Sequence, residues 1–287
     1  MKNFSRNLPY IIQDGKSIKD LVDAEKDRPA IVVGAGPSIY RNKHLDQLKN
    51  SNFKGVIIAT DKMLEPLLKK DIIPNYCLSL DAHPTLVPAF YRHSLVKKNA
   101  DKIKVITGTF VSPNLTKLLK KLKIDTYWFS ASADRKLVLM TASERNPNAL
   151  IGIRSCGNTG AASFTFSWAI LKCNPTCIIG FDFGYPEGVN LEETPYYSGA
   201  LVLADKTVSA LTASPVYQTI YHPVWRTRAK IDPVFSTYRT QFLGALKNDL
   251  PPDIKLYNCT CGGTLFGEGM ECISFKEFLE KVKRNQA

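Results

Sequence analysis

The chain has 287 residues, of which 44% are hydrophobic and 22% are charged, as in an ordinary globular protein. This composition excludes a disordered chain, a collagen-like repeat and a coiled coil, and the length fits one large α/β domain or two small ones. The formal net charge is +12, and residues 1–150 contain 25 basic and 14 acidic side chains, an excess that indicates an anionic partner.

Residues 1–28 are mostly polar, with a helix predicted over 17–26, and we interpret them as an N-terminal extension. Beyond residue 28, short apolar runs alternate with helical patterns. The apolar runs predict strands at 30–33, 55–60, 76–80, 104–107, 126–129, 176–181 and 254–258. The helical patterns lie at 45–49, 62–70, 114–122, 161–171, 234–247 and 274–283.

Strands that alternate with helices predict a doubly wound α/β fold, with a mainly parallel sheet covered by helices on both faces in a Rossmann-like arrangement. We predict a single domain over residues 29–287. Residues 184–233 are rich in Tyr, Pro, Ser and Thr, and we interpret them as a long loop that covers the binding site. Ligands of such sheets bind beyond the carboxyl ends of the strands, so the residues that follow each strand are the candidates.

Two glycine turns follow predicted strands and open helices, Gly34-Ala35-Gly36-Pro37-Ser38 and Gly157-Asn158-Thr159-Gly160. Glycine lets the backbone approach a phosphate, and the free amides of a helix N-terminus attract anions. A tight turn is the alternative for the first segment and a helix N-cap for the second. The candidate phosphate-binding residues of these turns are Gly34, Gly36, Pro37, Ser38, Gly157, Asn158, Thr159 and Gly160.

Three aspartates also follow predicted strands: Asp61, Asp81 and Asp182. Carboxylates there can hold Mg²⁺ between phosphate oxygens or accept a proton, and helix capping is the alternative for each. His83 is a candidate proton acceptor, with a turn or cap role as its alternative. We predict that Asp81, Asp182 and His83 are catalytic, that Asp81 and Asp182 are the metal ligands, and that Asp61 binds the nucleotide.

Further basic and aromatic residues complete the candidate site. Arg154 precedes the second glycine turn and is a candidate phosphate ligand. Tyr221, Arg226 and Arg228 can stack on a heterocyclic base and hold its phosphates, or they belong to a loop that only packs over the sheet. Residues 97–123 contain eight lysines, for which a solvated helix face is at least as good an explanation as an anionic partner. Sparse arginine, with Phe110 as the one aromatic residue among these lysines, weakens the case for nucleic acid.

No apolar run reaches the ~18 residues of a membrane span, and no apolar stretch of signal-peptide length follows the N-terminus. We therefore expect a soluble, cytoplasmic protein without a membrane span. The seven cysteines are scattered along the chain, which favours reduced thiols over a disulfide framework.

Five motifs occur in a characteristic order: Gly34-Ala35-Gly36-Pro37-Ser38, Ser79-Leu80-Asp81, Gly157-Asn158-Thr159-Gly160-Ala161-Ala162, Ile179-Gly180-Phe181-Asp182, and Tyr257-Asn258-Cys259-Thr260 with Gly262-Gly263. Together they resemble the archaeal 6-hydroxymethylpterin diphosphokinase (MptE-like) family, whose domain is shared with the motility-associated-factor glycosyltransferases of bacterial flagella. The resemblance extends from about residue 30 to the C-terminus. It implies a transferase that acts on phosphate-bearing substrates.

Two reactions follow from this resemblance. The first is diphosphate transfer from ATP to a hydroxymethylpterin-like acceptor with Mg²⁺, and the second is glycosyl transfer from a CMP-activated nonulosonic acid. The diphosphokinase branch implies a closely spaced Asp-x-Asp pair, whereas Asp81-Ala82-His83 supplies one aspartate, as in the glycosyltransferase branch. A non-catalytic nucleotide- or RNA-binding protein is a third alternative. The expected partners are a nucleotide and a small-molecule acceptor, with nucleic acid as the weaker alternative.

Overall fold

The computed structural model describes residues 2–13, 16–130, 150–203 and 216–285. The chain falls into two units. Unit 1 comprises Met1–Gly34 and Leu48–Thr176, and unit 2 comprises Ala35–Gln47 and Cys177–Ala287. The prediction of a single domain over residues 29–287 stays a prediction.

Six parallel strands form the sheet of unit 1, in the order β1-β6-β5-β4-β3-β2. The residues of β2 and β4 are buried on both faces, which explains why these strands are continuous apolar runs in the sequence. The strands are β1 (Lys16–Ser17), β2 (Ala30–Val33), β3 (Val56–Thr60), β4 (Tyr76–Ser79), β5 (Lys104–Gly108) and β6 (Asp125–Phe129).

Amphipathic helices cover this sheet and place their apolar residues in one core. Leu64, Leu115 and Trp128 are examples of side chains buried there. The helix over Thr159–Thr165 continues as one π-helical turn, Phe166–Ile170. The helices of this part of the chain are α1 (Lys2–Gln13), α2 (Ser38–Arg41), α3 (His44–Asn50), α4 (Asp61–Lys69), α5 (Leu86–Phe90), α6 (Ser94–Lys98), α7 (Pro113–Leu122) and α8 (Thr159–Thr165). Of these, α2 and the first four residues of α3 belong to unit 2.

The prediction of a helix over 17–26 is wrong. The helix of this region is α1, and Ser17 instead caps a single 3₁₀ turn, Ile18–Leu21. The polar residue Asn7 is what fixes α1, because its buried side chain donates to Thr109 O and Val111 O at 3.1 and 2.9 Å. A buried asparagine with long-range partners leaves no apolar period in the sequence, so the pattern did not indicate this helix.

Unit 2 contains a second group of sheet strands, β7 (Thr176–Ile179), β11 (Leu256–Asn258) and β12 (Glu271–Cys272), in the order β7-β11-β12. The pair β11 and β12 is parallel. Phe181, Phe183 and Phe242 form ring contacts at 5.8–6.1 Å between centroids and fill the core beside these strands. The remaining helices are α9 (Tyr197–Leu203), α10 (Pro233–Asp249) and α11 (Phe275–Asn285).

Within 184–233, which we interpreted as a long loop, the described residues include a small antiparallel sheet. Its strands are β8 (Tyr185–Pro186), β9 (Gln218–His222) and β10 (Thr227–Ile231), in the order β8-β10-β9. β9 and β10 are as long as the strands that were predicted, but most of their residues are not buried, so they leave no apolar run in the sequence, which is why the sequence indicated a loop. That this segment covers the site stays a prediction.

The predicted α/β class is confirmed, with a mainly parallel sheet, surrounding helices and a Rossmann-like arrangement. Every strand and helix predicted beyond residue 28 overlaps an observed one. None of the helices in the described part of the chain is long and apolar enough to cross a membrane.

Candidate functional site

The first glycine turn contacts a buried aspartate, Asp182, in unit 2. Ser38, at the start of α2, donates its hydroxyl to Asp182 Oδ2 at 2.7 Å and points its backbone amide at Asp182 Oδ1 at 3.3 Å. Gly36 N donates to Gly180 O at 2.9 Å, which holds the turn against the segment after β7. The turn is therefore built around the carboxylate of Asp182.

Two glycines allow the backbone to approach Asp182 this closely. A Cβ on Gly36 would contact the Asp182 carboxylate and would lie 2.7 Å from Gly180 O, closer than real side chains come to backbone oxygen. Gly263 has φ +74° and faces the backbone of Asp182, where a Cβ would lie 2.6 Å from Asp182 Cα. Both positions require glycine because of the space next to Asp182, and Gly263 requires it also for its conformation.

Burial sets the proton affinity of Asp182. The residue is 4% exposed, and loss of solvation raises the pKa of its carboxyl to about 6. The hydrogen bonds from Ser38 and the positive charge of Arg41 act in the opposite direction and limit the rise of the pKa. The carboxylate is thus mostly ionised at neutral pH and close to its titration range.

Asp182 lies in the wall of a cavity of about 750 Å³ within unit 2. This volume is in the range of small-molecule sites. The wall carries three arginines from different elements, and two acidic side chains, Asp182 and Glu187. The lining residues are Arg41, Asp182, Pro186, Glu187, Tyr221, Arg226, Thr227, Arg228, Ala229 and Gly263.

The antiparallel sheet supplies one side of this cavity. Arg228 pairs with Tyr221 across the strands, and the pairing of Ala229 with Pro186 brings Glu187 next to Arg228 at the end of β8. Ala229 is buried, whereas Tyr221, Arg228 and Glu187 are exposed, as expected for strand residues that alternate between two faces. A carboxylate, a guanidinium and an aromatic ring therefore follow one another across the sheet.

Hydrogen bonds hold the hairpin that carries Arg226 and Arg228. Arg226 has φ +52° and donates its amide to His222 O at 2.8 Å, which closes the turn between β9 and β10. The buried His222 ring lies with Nε2 3.1 Å from Leu265 O and accepts from Trp225 N at its Nδ1. The two arginines thus project from a fixed turn, although each guanidinium is itself exposed.

A second buried aspartate lies in unit 1 at the end of β3. Asp61 is the first residue of α4, is 7% exposed, and has a pKa raised to about 6 by loss of solvation. It accepts from Lys62 N at 2.8 Å and from the Ser79 hydroxyl, whose oxygen lies 2.7 Å from Tyr91 Oη. The nearby charge of Asp81 raises the pKa of Asp61 further.

Asp81 and His83 are exposed residues that follow β4. Asp81 Oδ1 accepts from His83 N at 2.8 Å, and His83 Nδ1 accepts from Leu86 N at 3.1 Å at the start of α5. These contacts are those of a turn and a helix cap, the alternative that the sequence left open for His83. The catalytic roles of both residues stay predictions.

The second glycine turn, also in unit 1, begins α8. Gly157 has φ +78°, and Asn158 Oδ1 accepts from Ala161 N at 2.9 Å, so Asn158 is the N-cap of the helix. The remaining amides of this first turn have no acceptor within the helix. Arg154 is exposed just before the turn. Phosphate binding by this segment stays a prediction, as does the metal-ligand role of Asp81 and Asp182.

The structure brings six of the predicted site residues together in unit 2: Gly36, Ser38, Asp182, Tyr221, Arg226 and Arg228. Sequence reasoning missed Arg41 and Glu187, and it gave Gly263 only as part of the fifth motif. Arg41 lies three residues after Ser38, so helical spacing could have indicated it as a site residue, whereas no sequence pattern indicates Glu187. Among the described residues, no group of three or more His, Cys, Asp or Glu side chains has a metal-binding arrangement.

Comparisons with known proteins agree with the motifs. The family model described as "6-hydroxymethylpterin diphosphokinase MptE-like" matches residues 2–188, well over half of the chain. The family predicted from the motifs is confirmed, and so, at the level of this family, is the prediction of a transferase. The match begins at residue 2, so it includes the residues that we interpreted as an extension, and it ends before the fifth motif, at 257–263.

One solved structure with the same fold is the MAf glycosyltransferase from Magnetospirillum magneticum AMB-1. It is 16% identical to this chain, with a TM-score of 0.62 over 98% of this chain and 40% of that protein. At this identity the likeness concerns the fold alone, and the chain spans well under half of the other protein's length. No curated protein matches the chain.

Proposed function

Because this chain belongs to the MptE-like family, we propose that it is a nucleotide-dependent transferase that moves diphosphate from ATP to a hydroxymethylpterin-like acceptor. The observation that carries the proposal is the cavity of unit 2, whose wall combines Arg41, Arg226 and Arg228 with the buried carboxylate of Asp182. Three guanidinium groups around one cavity suit a ligand with several phosphate oxygens.

In the proposed reaction the hydroxyl oxygen of the acceptor attacks the β-phosphorus of ATP. The bond between the β-phosphorus and the oxygen that bridges it to the α-phosphate breaks, AMP leaves with that oxygen, and the hydroxyl proton passes to solvent. Such transfers depend mainly on positioning and on stabilisation of phosphate charge. The three arginines supply that charge, and the turn of Gly36 and Ser38 fixes Asp182 beside it.

Mg²⁺, which accompanies ATP in such reactions, neutralises phosphate oxygens when it is bound. The site fits it, since one or two carboxylates together with substrate phosphates suffice as ligands, and Asp182 is the residue that would hold it. The raised pKa of Asp182 predicts that binding at this carboxylate weakens as the pH falls through about 6.

Glu187 supports a pterin over a cytosine ligand. The exposed carboxylate of Glu187 can accept two hydrogen bonds from a ring that offers an N–H and an adjacent amino group, as a pterin does. Cytosine offers one amino group beside a ring nitrogen that is itself an acceptor. Tyr221, in the same part of the cavity wall, provides a surface for stacking.

Glycosyl transfer from a CMP-activated nonulosonic acid is the second candidate function. The likeness to the MAf glycosyltransferase over nearly the whole chain supports it, as does the single aspartate in the segment Asp81-Ala82-His83. In that reaction the same arginines would bind the phosphate and carboxylate of the donor.

Product analysis distinguishes the two reactions. The full chain is incubated with ATP, Mg²⁺ and 6-hydroxymethyl-7,8-dihydropterin, and separately with a CMP-activated nonulosonic acid and acceptor candidates. Pterin-dependent release of AMP supports the diphosphokinase, and release of CMP supports the glycosyltransferase. Asp182→Asn is the control, because it should remove either activity. Nucleotide binding without turnover of either substrate would contradict both reactions.

A further inference from the structure

Two neighbouring hollows on unit 1 form a groove between α1 and α7, here called the α1–α7 groove. The hollows have volumes of about 540 and 410 Å³ and share Tyr10 and Lys120 in their walls. The basic and aromatic side chains in its walls include Arg6 and Tyr10 on α1, Lys117 and Lys120 on α7, and Lys123 at the end of α7. None of them belongs to the cavity that contains Asp182.

The α1–α7 groove is held in shape by buried contacts. Asn7, which is fully buried, donates to two backbone carbonyls and accepts from the Thr116 hydroxyl on α7 at 3.0 Å. The rings of Phe4 and Phe110 lie 5.9 Å apart and fasten the first turn of α1. The groove therefore has a preformed shape, which lowers the entropic cost of binding a ligand.

The charge of the groove is strongly positive. Arg6, Lys117 and Lys123 are exposed, and none of them has a carboxylate partner in the described part of the chain. The acidic residue in the wall, Asp125, is neutralised by Lys16, whose Nζ lies 3.0 Å from its Oδ1. A preformed groove with unneutralised cations attracts an anionic ligand.

An aromatic ring lies between these cations. Lys120 Nζ is 5.5 Å from the centroid of the Tyr10 ring, so the ring from α1 is placed within the row of lysines from α7. In the sequence Phe110 is the one aromatic residue among the lysines of 97–123, and its ring packs against Phe4. The fold adds the Tyr10 ring from a segment about a hundred residues away.

We propose that the α1–α7 groove binds single-stranded nucleic acid, with backbone phosphates on the cations and a base against Tyr10. Lys117 and Lys120 lie about one turn apart on α7, a rise of about 4.5 Å, and Lys123 follows as the C-cap residue of this helix, so the three cations succeed one another along the groove. A line of cations suits a chain of phosphates, and a nearby aromatic ring suits stacking of a base. This site is independent of the transferase reaction.

Binding of a short fluorescein-labelled oligouridylate to the full chain, followed by anisotropy over a range of NaCl concentrations, tests the proposal. Four phosphate contacts predict a slope of log affinity against log salt of about −3, since each contact to a single strand contributes about −0.7. The double substitution Lys117→Glu with Lys120→Glu should weaken binding by about tenfold or more and flatten this slope.

The matched control is Lys97→Glu with Lys98→Glu, which makes the same change of net charge on α6, outside the groove. It should change the affinity by less than about threefold. Equal losses in the two double variants would overturn the proposal, because binding would then follow net charge alone. Tyr10→Leu should weaken binding without changing the salt slope, and an unchanged affinity would remove the stacking role.

Vesicles of phosphatidylserine and phosphatidylcholine distinguish a membrane from a nucleic acid. A bilayer presents a flat surface, whereas the proposed ligand enters a groove, so we expect weak vesicle binding that the Lys117→Glu and Lys120→Glu variant shares with its control. Vesicle binding that exceeds oligouridylate binding and is lost only in the groove variant would overturn the proposal in favour of a lipid surface.

Discussion

Asp61 in unit 1 and Asp182 in unit 2 are built in similar ways. Each follows a strand, each is buried and hydrogen-bonded to a serine, and burial raises the pKa of each to about 6. They differ in what lies in front of the carboxylate. Asp182 forms part of the wall of a 750 Å³ cavity with three arginines, whereas the Ser79 hydroxyl that donates to Asp61 lies against the buried Tyr91.

This difference shows that a raised pKa alone does not identify a functional aspartate. In both residues the main cause is loss of solvation, which any buried carboxyl experiences. For Asp182 the described part of the chain shows a ligand-sized cavity with three arginines in its wall. We therefore expect substitution of Asp182 to affect turnover, and substitution of Asp61 to affect mainly stability.

The largest effect is expected from Asp182→Asn. It should lower kcat by about 10²–10³-fold, because the amide keeps the size of the side chain but removes the charge that faces the substrate phosphates or their metal. Asp61→Asn is the matched substitution and should lower kcat by less than about tenfold. The measurement is AMP or CMP release under saturating substrate. Equal losses of kcat in both variants would contradict the expectation that Asp182 acts in turnover and Asp61 does not.

The same two variants test the effect of burial on stability. Each native carboxyl binds a proton more tightly than in the unfolded chain, so its charge destabilises the fold above about pH 6, and this cost disappears as the pH falls toward 4. Relative to the parent, each asparagine variant should therefore gain stability between pH 5 and pH 8, measured as the difference in free energy of unfolding from urea titrations. A gain that grows at low pH would contradict the sign of the shifts.

Gly36→Ala should have the next largest effect, on the Asp182 region alone. The added Cβ would lie 2.7 Å from Gly180 O and against the carboxylate, so the turn must move. We expect a loss of about 2–3 kcal/mol in the free energy of unfolding and a clear fall in kcat. Gly244→Ala on α10 is the control, since its Cβ would meet no atom within 4 Å. It should stabilise the helix by about 0.5–1 kcal/mol.

The arginines of the cavity should give a smaller effect. Arg226→Ala and Arg228→Ala should each raise KM for the nucleotide by about tenfold, because each removes one charge-assisted contact to phosphate from an exposed side chain. Arg284→Ala, on the exposed last turn of α11, makes the same change of charge away from the cavity. If KM rises equally in the control, the cavity is not where the phosphates bind.

The sequence allowed prediction of the parallel strands and their helices because burial on both faces leaves continuous apolar runs, as in Ala30–Val33. It did not allow prediction of α1, whose position depends on the buried amide of Asn7. β9 and β10 were missed because most of their residues are not buried and so leave no continuous apolar run.

For the site, the glycine turn at Gly36 and the aspartate at 182 were each predicted from their place after a strand. Their contact was not, because Ser38 and Asp182 are 144 residues apart and no local pattern joins them. Glu187 was missed for a related reason: its place beside Arg228 depends on the pairing of β8 with β10. Local patterns thus indicate candidate residues, and the strand pairing decides which of them meet.

His44 provides the last test of whether burial, rather than partners, sets these proton affinities. It is fully buried, neither ring nitrogen has a hydrogen-bond partner in the described part of the chain, and loss of solvation lowers the pKa of the ring to about 4. The shift is opposite in sign to that of the aspartates because the protonated form of histidine carries the charge. Stability from neutral His44 is complete above about pH 6.5 and is lost as the pH falls toward 4.

His44→Phe should therefore gain about 1–2 kcal/mol of stability relative to the parent as the pH falls from 7 to 5. An aromatic ring at this position keeps the edge contact with Phe275, whose centroid lies 5.5 Å away. Urea unfolding at several pH values is the measurement. A difference between the two proteins that is the same at pH 5 and pH 8 would mean that His44 does not titrate on unfolding, and the explanation by burial would then fail for the aspartates as well.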